Sequence, residues 1–271
     1  MPNAELRIIE RELNKNLPKK GKLAMAMRYS VLAGGKRFRP ILCLAVAKAL
    51  GKPPAKVLPF ACAVEMIHTF TLIHDDLPAM DDSDLRRGKP TCHKKYGEAL
   101  AILVGDALST LAFGLIADQP KAVKELAGAL FEVVEGQVAD VAAPEKKLTL
   151  NRLRAIHRWK TAALLKACVR GTAAICGATA RQTTALTAYA EHLGMAFQIA
   201  DDILDVTATA RQLGKPVRAD SKKGFPFVVG LARSRALAAA ERDQALRRLA
   251  PFGPRARRLA ELACYVTERE K

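Results

Sequence analysis

Apolar positions recur at helical spacing along most of the chain. Leu6–Leu17 has the three- and four-residue spacing of an amphipathic helix, and Arg39–Leu50 follows a Gly34-Gly35 turn. Ala55–Ile73 is apolar on nearly every face, which predicts a helix buried on most sides. Ala99–Ile116 and Lys121–Val141 continue the pattern. No proline falls between Pro144 and Pro216, and that stretch predicts long helices over Thr149–Ile156, Lys160–Ala178 and Arg181–Val206. Gly171, Gly177 and Gly194 sit at tolerated interior or junction positions. Thr149, three residues before Arg152, is a candidate N-cap. No period-two run flanked by hairpin turns predicts a strand, and no repeat of fixed length occurs. The expected fold is all-α: one domain over 1–271, a bundle of roughly ten or more helices, interrupted by a short basic loop at Ser221–Gly224.

Composition agrees with this picture. The chain has 271 residues, 50% of them hydrophobic, enough to bury a large core without staples. Aromatic content is only 5%, so the apolar mass is mainly aliphatic and favours helix over strand. The runs Ile41–Leu50 and Ala99–Ile116 read as too short or too broken to span a bilayer. The first residues lack the apolar stretch of a secretory signal. The expectation is a soluble cytoplasmic protein with no transmembrane segment. Cysteines at 43, 62, 92, 168, 176 and 264 show no C-x-x-C spacing, and read as small buried apolar side chains in a reducing compartment.

Charge changes the picture more. Lys+Arg 44 against Asp+Glu 27 gives +17, which attracts polyanions: nucleic acid, anionic lipid or phosphorylated small molecules. Acidic residues nevertheless cluster in two places, Asp75–Asp84 and Asp201–Asp205. The first, His74-Asp75-Asp76-Leu77-Pro78-Ala79-Met80-Asp81-Asp82, ends the apolar helix because Pro78 cannot continue it. Carboxylates so crowded repel, and a divalent cation relieves them; an all-oxygen donor set favours Mg²⁺ over zinc. In the second, Asp201 and Asp205 are i and i+4 on one helix face, with Gln198 three residues before Asp201. A single such run is as often a solvated acidic face; two, each embedded in apolar helix, point to cation binding. Basic groups complement them. Gly34-Gly35-Lys36-Arg37-Phe38-Arg39-Pro40 combines a glycine turn, three cations and a helix start, an arrangement suited to an anion. Arg86 and Arg87 follow the first acidic cluster directly, Lys160 with Thr161 opens another helix segment, and Lys215 follows the second cluster. Together they suggest two diphosphate sites, one bridged by metal and one held by cations.

These strings resemble the trans-isoprenyl diphosphate synthases of the short-chain, farnesyl and geranylgeranyl type. The resemblance runs from Tyr29 to about Gly230 and rests on G-G-K-R-F-R-P at 34–40, H-D-D-L-P-A-M-D-D at 74–82, L-R-R-G at 85–88, G-D-A-L at 105–108, G-Q-x-x-D at 136–140, K-T at 160–161 and F-Q-I-A-D-D-I-L-D at 197–205. It implies the isoprenoid synthase fold, a helical bundle around a central cavity, assembled as a homodimer. It implies that Lys36, Arg39, His68 and Arg87 hold isopentenyl diphosphate and that Arg86 contacts the allylic diphosphate. Asp75 and Asp81 would ligate Mg²⁺, and Asp201 a further Mg²⁺ with Asp202 and Asp205 around it, up to three ions in all. Lys160, Thr161 and Gln198 would face the allylic diphosphate and the nascent cation, and Asp76 and Lys215 would complete the catalytic group. The implied reaction is ionisation, condensation and elimination, giving farnesyl diphosphate, with geranylgeranyl diphosphate as the alternative.

Position also suggests a length determinant. Phe70 and Thr71, five and four residues before Asp75, are placed to line the path of the growing chain. One departure from the family pattern stands out: Ser221-Lys222-Lys223-Gly224-Phe225-Pro226 lacks the K-x-T that usually separates Gly from the aromatic. It leaves a non-catalytic prenyltransferase-like subunit as a competing reading, against which both intact acidic clusters argue. A nucleic-acid binder would need aromatics interleaved with the C-terminal arginines; Phe252 and Tyr265 are all that segment offers, and the arginines read as a solvated helix face. A terpene cyclase would not need the second diphosphate site at 34–40.

Overall fold

The computed structural model describes residues 3–143, 148–207 and 224–268. Among them, thirteen α-helices follow one another: α1 (Asn3–Asn16), α2 (Lys22–Val31), α3 (Phe38–Ala49), α4 (Leu58–Asp75), α5 (Cys92–Tyr96), α6 (Glu98–Leu115), α7 (Pro120–Val141), α8 (Leu150–His157), α9 (Ala163–Cys176), α10 (Ala180–Thr207), α11 (Phe225–Val229), α12 (Leu231–Arg248) and α13 (Arg257–Glu268). The all-α expectation holds. One exception is a two-residue antiparallel ladder, β1 (Leu85–Arg86) with β2 (Lys89–Pro90), whose turn presents Arg87 and Gly88. Polar two-residue strands leave no alternating pattern to read. The short helix α5 likewise gave no periodic signal.

Local chemistry sets the boundaries. Pro59 and Pro120 occupy the first turns of α4 and α7, where a missing N–H costs nothing. Thr149 caps α8 as its position predicts, its hydroxyl oxygen accepting from Arg152 N at 3.3 Å. The stretch predicted as one helix from Lys160 instead opens with a π-helical turn, Arg158–Ala162, joining α8 to α9. Two glycines let neighbouring helices close on that turn. A β-carbon at Gly136 of α7 would stand 2.5 Å from Lys160 N, and one at Gly194 of α10 would stand 2.6 Å from Ala162 Cβ.

The long helices run up and down. α3 descends from Arg39, α4 climbs to Asp75, and α6 starts beside the top of α4, where His74 Nε2 lies 3.1 Å from Ile102 O. α7 climbs again, α9 descends, α10 climbs to Asp205, and α12 descends. Finally α13 climbs beside α10, with Tyr189 Oη donating to Leu259 O at 2.8 Å. The core lies around α4, where Phe60, Ala61, Val64, Met66 and Ile67 are inaccessible to solvent. By length and composition alone, both Pro54–Asp75 and α6 could cross a membrane, which corrects the expectation drawn from the shorter apolar runs. Pro54–Asp75 is mostly buried in the core; α6 is not, and Ile102 and Leu103 face outward, as does Phe131 on α7.

Candidate active site

The upper end of the bundle collects the acidic and basic motifs. After α4 the chain folds back on the helix end: Asp81 N donates to Asp75 O at 2.8 Å, and Ser83 N to Asp76 O at 3.2 Å. Pro78 and the left-handed backbone of Asp82 (φ 44°) turn the loop. Asp75 then lines a cavity of about 620 Å³ together with Phe70, Thr71, Val134, Val138, Lys160 and Thr161. Burial pushes its carboxyl up to about 6; Lys160 opposes the shift, and Asp81 and Asp76 reinforce it. Asp75 is therefore a carboxylate short of positive charge.

Asp76 has a different surrounding. It is buried, and Arg86 clasps it through Nε to Oδ2 at 2.8 Å and Nη2 to Oδ1 at 2.6 Å. Net, that pairing holds the Arg86 guanidinium above its ordinary value despite its burial. Asp76 thus fixes Arg86 within the field of Asp75, neither of the pair lining the large cavity itself, and Arg86 Nη1 remains outside the clasp.

The second acidic cluster divides in the same way. Asp202 is buried; its Oδ1 accepts from Gln198 Nε2 at 2.8 Å and its Oδ2 from Phe225 N at 2.9 Å, with His157 Nε2 at 3.4 Å. It ties α10 to α11, and the His157 ring stacks on Phe225. Asp201 is half-buried and Asp205 exposed, on the neighbouring face of α10. Gln198 pairs with Asp202, four residues on, and not with Asp201 as its three-residue spacing suggested. Its Oε1 accepts from Thr161 Oγ1 at 2.6 Å, which joins the second cluster to the cavity wall. Lys160 Nζ, from the π-turn, lies 2.6 Å from Asp140 Oδ2 on α7.

A second cavity of about 260 Å³ adjoins the first and is walled by Lys36, Arg39, His68, Arg87, Phe197 and Tyr265. Arg39 Nη1 is 3.2 Å from His68 Nε2. Burial, with Arg39 and further guanidiniums close by, holds the imidazole well below its ordinary value, so it stays neutral and accepts from Arg39. Arg87, in left-handed backbone (φ 55°), donates to Gly34 O. The third cation of this turn, Arg37, borders the same cavity, but its guanidinium is engaged elsewhere. Arg37 also adopts left-handed backbone (φ 48°), and its fully covered guanidinium points inward to Glu10 Oε1 at 2.7 Å, Glu65 Oε1 at 2.8 Å and Val31 O at 2.6 Å.

Two apolar-to-cationic cavities share His68 and Arg39, and oxygen-rich carboxylates crown the larger. Across residues 20–251 the chain matches the family described as Polyprenyl synthetase. The chain belongs to the polyprenyl synthetase family. This polyprenyl synthetase is 51% identical over 226 residues to a farnesyl diphosphate synthase of Geobacillus stearothermophilus, covering 78% of this chain and 76% of that one. It is 45% identical to geranylgeranyl pyrophosphate synthase 11, chloroplastic, of Arabidopsis thaliana, covering 94% of this chain and 77% of that one. Its fold matches a polyprenyl synthase of Caulobacter crescentus complexed with calcium and isoprenyl diphosphate, with a TM-score of 0.89 and 29% identity, over 99% of this chain and 95% of that one.

Of the predicted site residues, the larger cavity gathers Asp75, Lys160, Thr161, Phe70 and Thr71, and the smaller gathers Lys36 and Arg87, with Arg39 and His68 between them. Lys215 lies outside the described residues, as do Asp220, Lys222 and Lys223. Sequence reasoning missed Tyr265 and the partnership of Asp140 with Lys160. The first is a contact across most of the chain. The second was already present as the last letter of G-Q-x-x-D.

Among the described residues no three His, Cys, Asp or Glu side chains gather as a metal-holding group. The all-oxygen donors Asp75 and Asp81 on one side and Asp201 and Asp205 on the other are the chemistry a hard divalent cation takes, one or two carboxylates with phosphate oxygens completing the shell. The raised carboxyl of Asp75 marks a place where added positive charge is favourable.

Proposed function

We propose that this polyprenyl synthetase condenses isopentenyl diphosphate with an allylic diphosphate, dimethylallyl or geranyl, and that farnesyl diphosphate is its product. The observation that carries the reading is one apolar cavity with a carboxylate-and-cation head, adjoined by a second, cationic pocket. One substrate ionises at the first while the other waits at the second.

Each residue's part follows from its surroundings. Lys36, Arg39 and Arg87 hold the isopentenyl diphosphate as charge-assisted donors, and neutral His68 steadies Arg39. At the other head, Lys160 and Arg86 offer cations to the allylic diphosphate. Asp75 and Asp81 on one side, and Asp201 and Asp205 on the other, would hold Mg²⁺; when bound it neutralises the diphosphate and makes it a better leaving group. The allylic C–O bond breaks, and its electron pair departs with the diphosphate. The Thr161 hydroxyl hydrogen is committed to Gln198, so its oxygen presents lone pairs to the carbocation. The isopentenyl double bond attacks, a new C–C bond forms, and the resulting cation loses a proton to the departed diphosphate. The buried apolar walls, Val133 and Leu164 among them, offer it no nucleophile and no polar group to hold water there.

Phe70 lines the cavity into which the tail grows, its ring edge-on to His74 with centroids 4.9 Å apart, which supports the shorter, fifteen-carbon product. The long match to a plant geranylgeranyl pyrophosphate synthase favours the twenty-carbon alternative. The active unit in this reading is a homodimer, supported by the outward apolar side chains of α6 and α7. A cytoplasmic location accompanies it, supported by six free thiols, five of them buried. The test is turnover with and without Mg²⁺ for wild type, Asp75→Ala and Asp201→Ala, each checked by circular dichroism. Loss of product in both variants and in excess chelator, with helicity kept, is expected; turnover in chelator would overturn the reading.

A further inference from the structure

Part of the +17 charge gathers at one place in the fold. At the lower end of the bundle, opposite the acidic motifs, meet the foot of α3, the starts of α4, α7, α10 and α13, and the foot of α12. Lys52 and Lys56 lie in the link from α3 to α4, Lys121 and Lys124 on the first turns of α7, Arg181 at the start of α10 and Arg255 just before α13; all six are exposed. Lys52, Lys56 and Arg255 are neighbours across elements. A β-carbon at Gly51 would stand 3.2 Å from Arg255 Nη1, and the Cys176 thiol at the foot of α9 lies within the field of both Lys56 and Lys52. Arg181 follows Cys176 by one short turn.

Acidic groups at this end are already engaged. Glu5 is held by Lys48 at 2.8 Å and Arg258 at 2.9 Å, and Glu261 by Arg258 at 3.0 Å and Arg257 at 3.1 Å. Glu125 is taken by Arg170 at 2.6 Å. Among the described residues the further acids facing outward near this end are Asp118 and Asp243, the latter paired with Arg242 at 2.9 Å. Six exposed cations without an acidic partner among the described residues thus share one end of the molecule, away from the mouth of the site.

We propose that this lower end docks on a membrane surface through anionic lipid headgroups. It is a broad face of turns and helix ends, not a groove that tracks a phosphate backbone. It also carries no exposed aromatic on which bases could stack: Phe252, beside it, is buried. Clustered lysines and arginines on such a face bind an anionic bilayer additively and reversibly, without insertion. Docking by this end leaves both cavities open to water-borne diphosphates. The surface is independent of the proposed reaction; only its use, delivering a prenyl product to lipid, rests on that reading.

The test is cosedimentation of the full chain with vesicles of phosphatidylglycerol and phosphatidylcholine, against vesicles of phosphatidylcholine alone. Binding to the first and not the second is expected, weakening as salt rises. Lys56→Glu with Arg255→Glu should cut binding by about tenfold or more. Arg233→Glu with Arg235→Glu, the same charge change on exposed residues at the upper end of α12, should leave it near wild type. Circular dichroism and prenyl transfer, measured separately, should be unchanged in the lower-end pair. Equal losses in both pairs would mean that net charge and not this face is responsible. Failure to bind anionic vesicles, or capture of homopolymeric RNA in place of vesicles, would also overturn the proposal.

Discussion

Replacing Arg37 by methionine separates two roles for the turn at 34–40. A methionine keeps an unbranched apolar stem of similar reach but removes every donor. In the wild type those donors meet Glu10 at 2.7 Å, Glu65 at 2.8 Å and Val31 O at 2.6 Å. Glu65 is 2% exposed, so the variant strands a buried carboxylate; breaking such a pair costs about 3–5 kcal/mol. The Glu10 side chain is 33% exposed, and its arm adds only about a few tenths of a kcal/mol. For a chain of this size the sum corresponds to a fall in Tm of roughly 10 °C. The double variant Arg37→Met with Glu65→Leu removes the stranded charge as well and should return to within about 2 kcal/mol of wild type. Urea unfolding followed by circular dichroism measures both. Steady-state kinetics completes the test: Lys36 and Arg39 remain in the pocket, so KM for isopentenyl diphosphate should change by less than about twofold. A KM raised about tenfold with stability intact would refute the structural role and make Arg37 a diphosphate ligand.

Three further outcomes follow from the same structure. Phe70→Ala should lengthen the product by at least one five-carbon unit, read by chromatography of the dephosphorylated alcohols; unchanged length would remove Phe70 from the floor of the cavity. In metal-free protein the Asp75 carboxyl rises from 3.8 to about 6, so the folded state binds the extra proton. Wild type should therefore lose stability relative to Asp75→Asn as pH climbs from about 4 to about 6, in denaturation curves taken across that range; a gap that stays flat would contradict the burial argument. Ile102→Asp with Leu103→Asp, on the outward face of α6, should shift a dimeric sedimentation coefficient to a monomeric one, and a wild type already monomeric at micromolar concentration would end the dimer reading.

Residues whose meaning lies within one turn of helix were legible before the fold. Asp75, the break at Pro78, the apolar α4 and the Thr149 cap each follow from spacing alone. What escaped depends on backbone sign or on distant contact. The sequence Lys36-Arg37-Phe38-Arg39 reads as a turn with three cations, yet Arg37, with φ of 48°, spends its guanidinium on Glu10, Glu65 and Val31 O, while Lys36 and Arg39 line the pocket. Likewise, only the family resemblance, not the spacing, separates Asp75 from Asp76 and Asp201 from Asp202. In each pair, the second member is buried and held, by Arg86 in one case and by Gln198 and Phe225 in the other. The π-turn at Arg158–Ala162 has no period to detect, because it exists where Gly136 and Gly194 admit two helices against it. Tyr265 reaches the smaller cavity only because α13 climbs back beside α10, a tertiary fact.

The central claim is that the two adjoining cavities unite an allylic and an isopentenyl diphosphate. Incubation of the purified chain with isopentenyl diphosphate and Mg²⁺ plus the five-, ten- or fifteen-carbon allylic diphosphate, followed by product-length analysis, addresses it most directly. The account predicts farnesyl diphosphate from the five- and ten-carbon primers, little extension of the fifteen-carbon one, and no product without Mg²⁺. Absence of condensation from every primer, by a dimer of full helicity in saturating Mg²⁺, would contradict it.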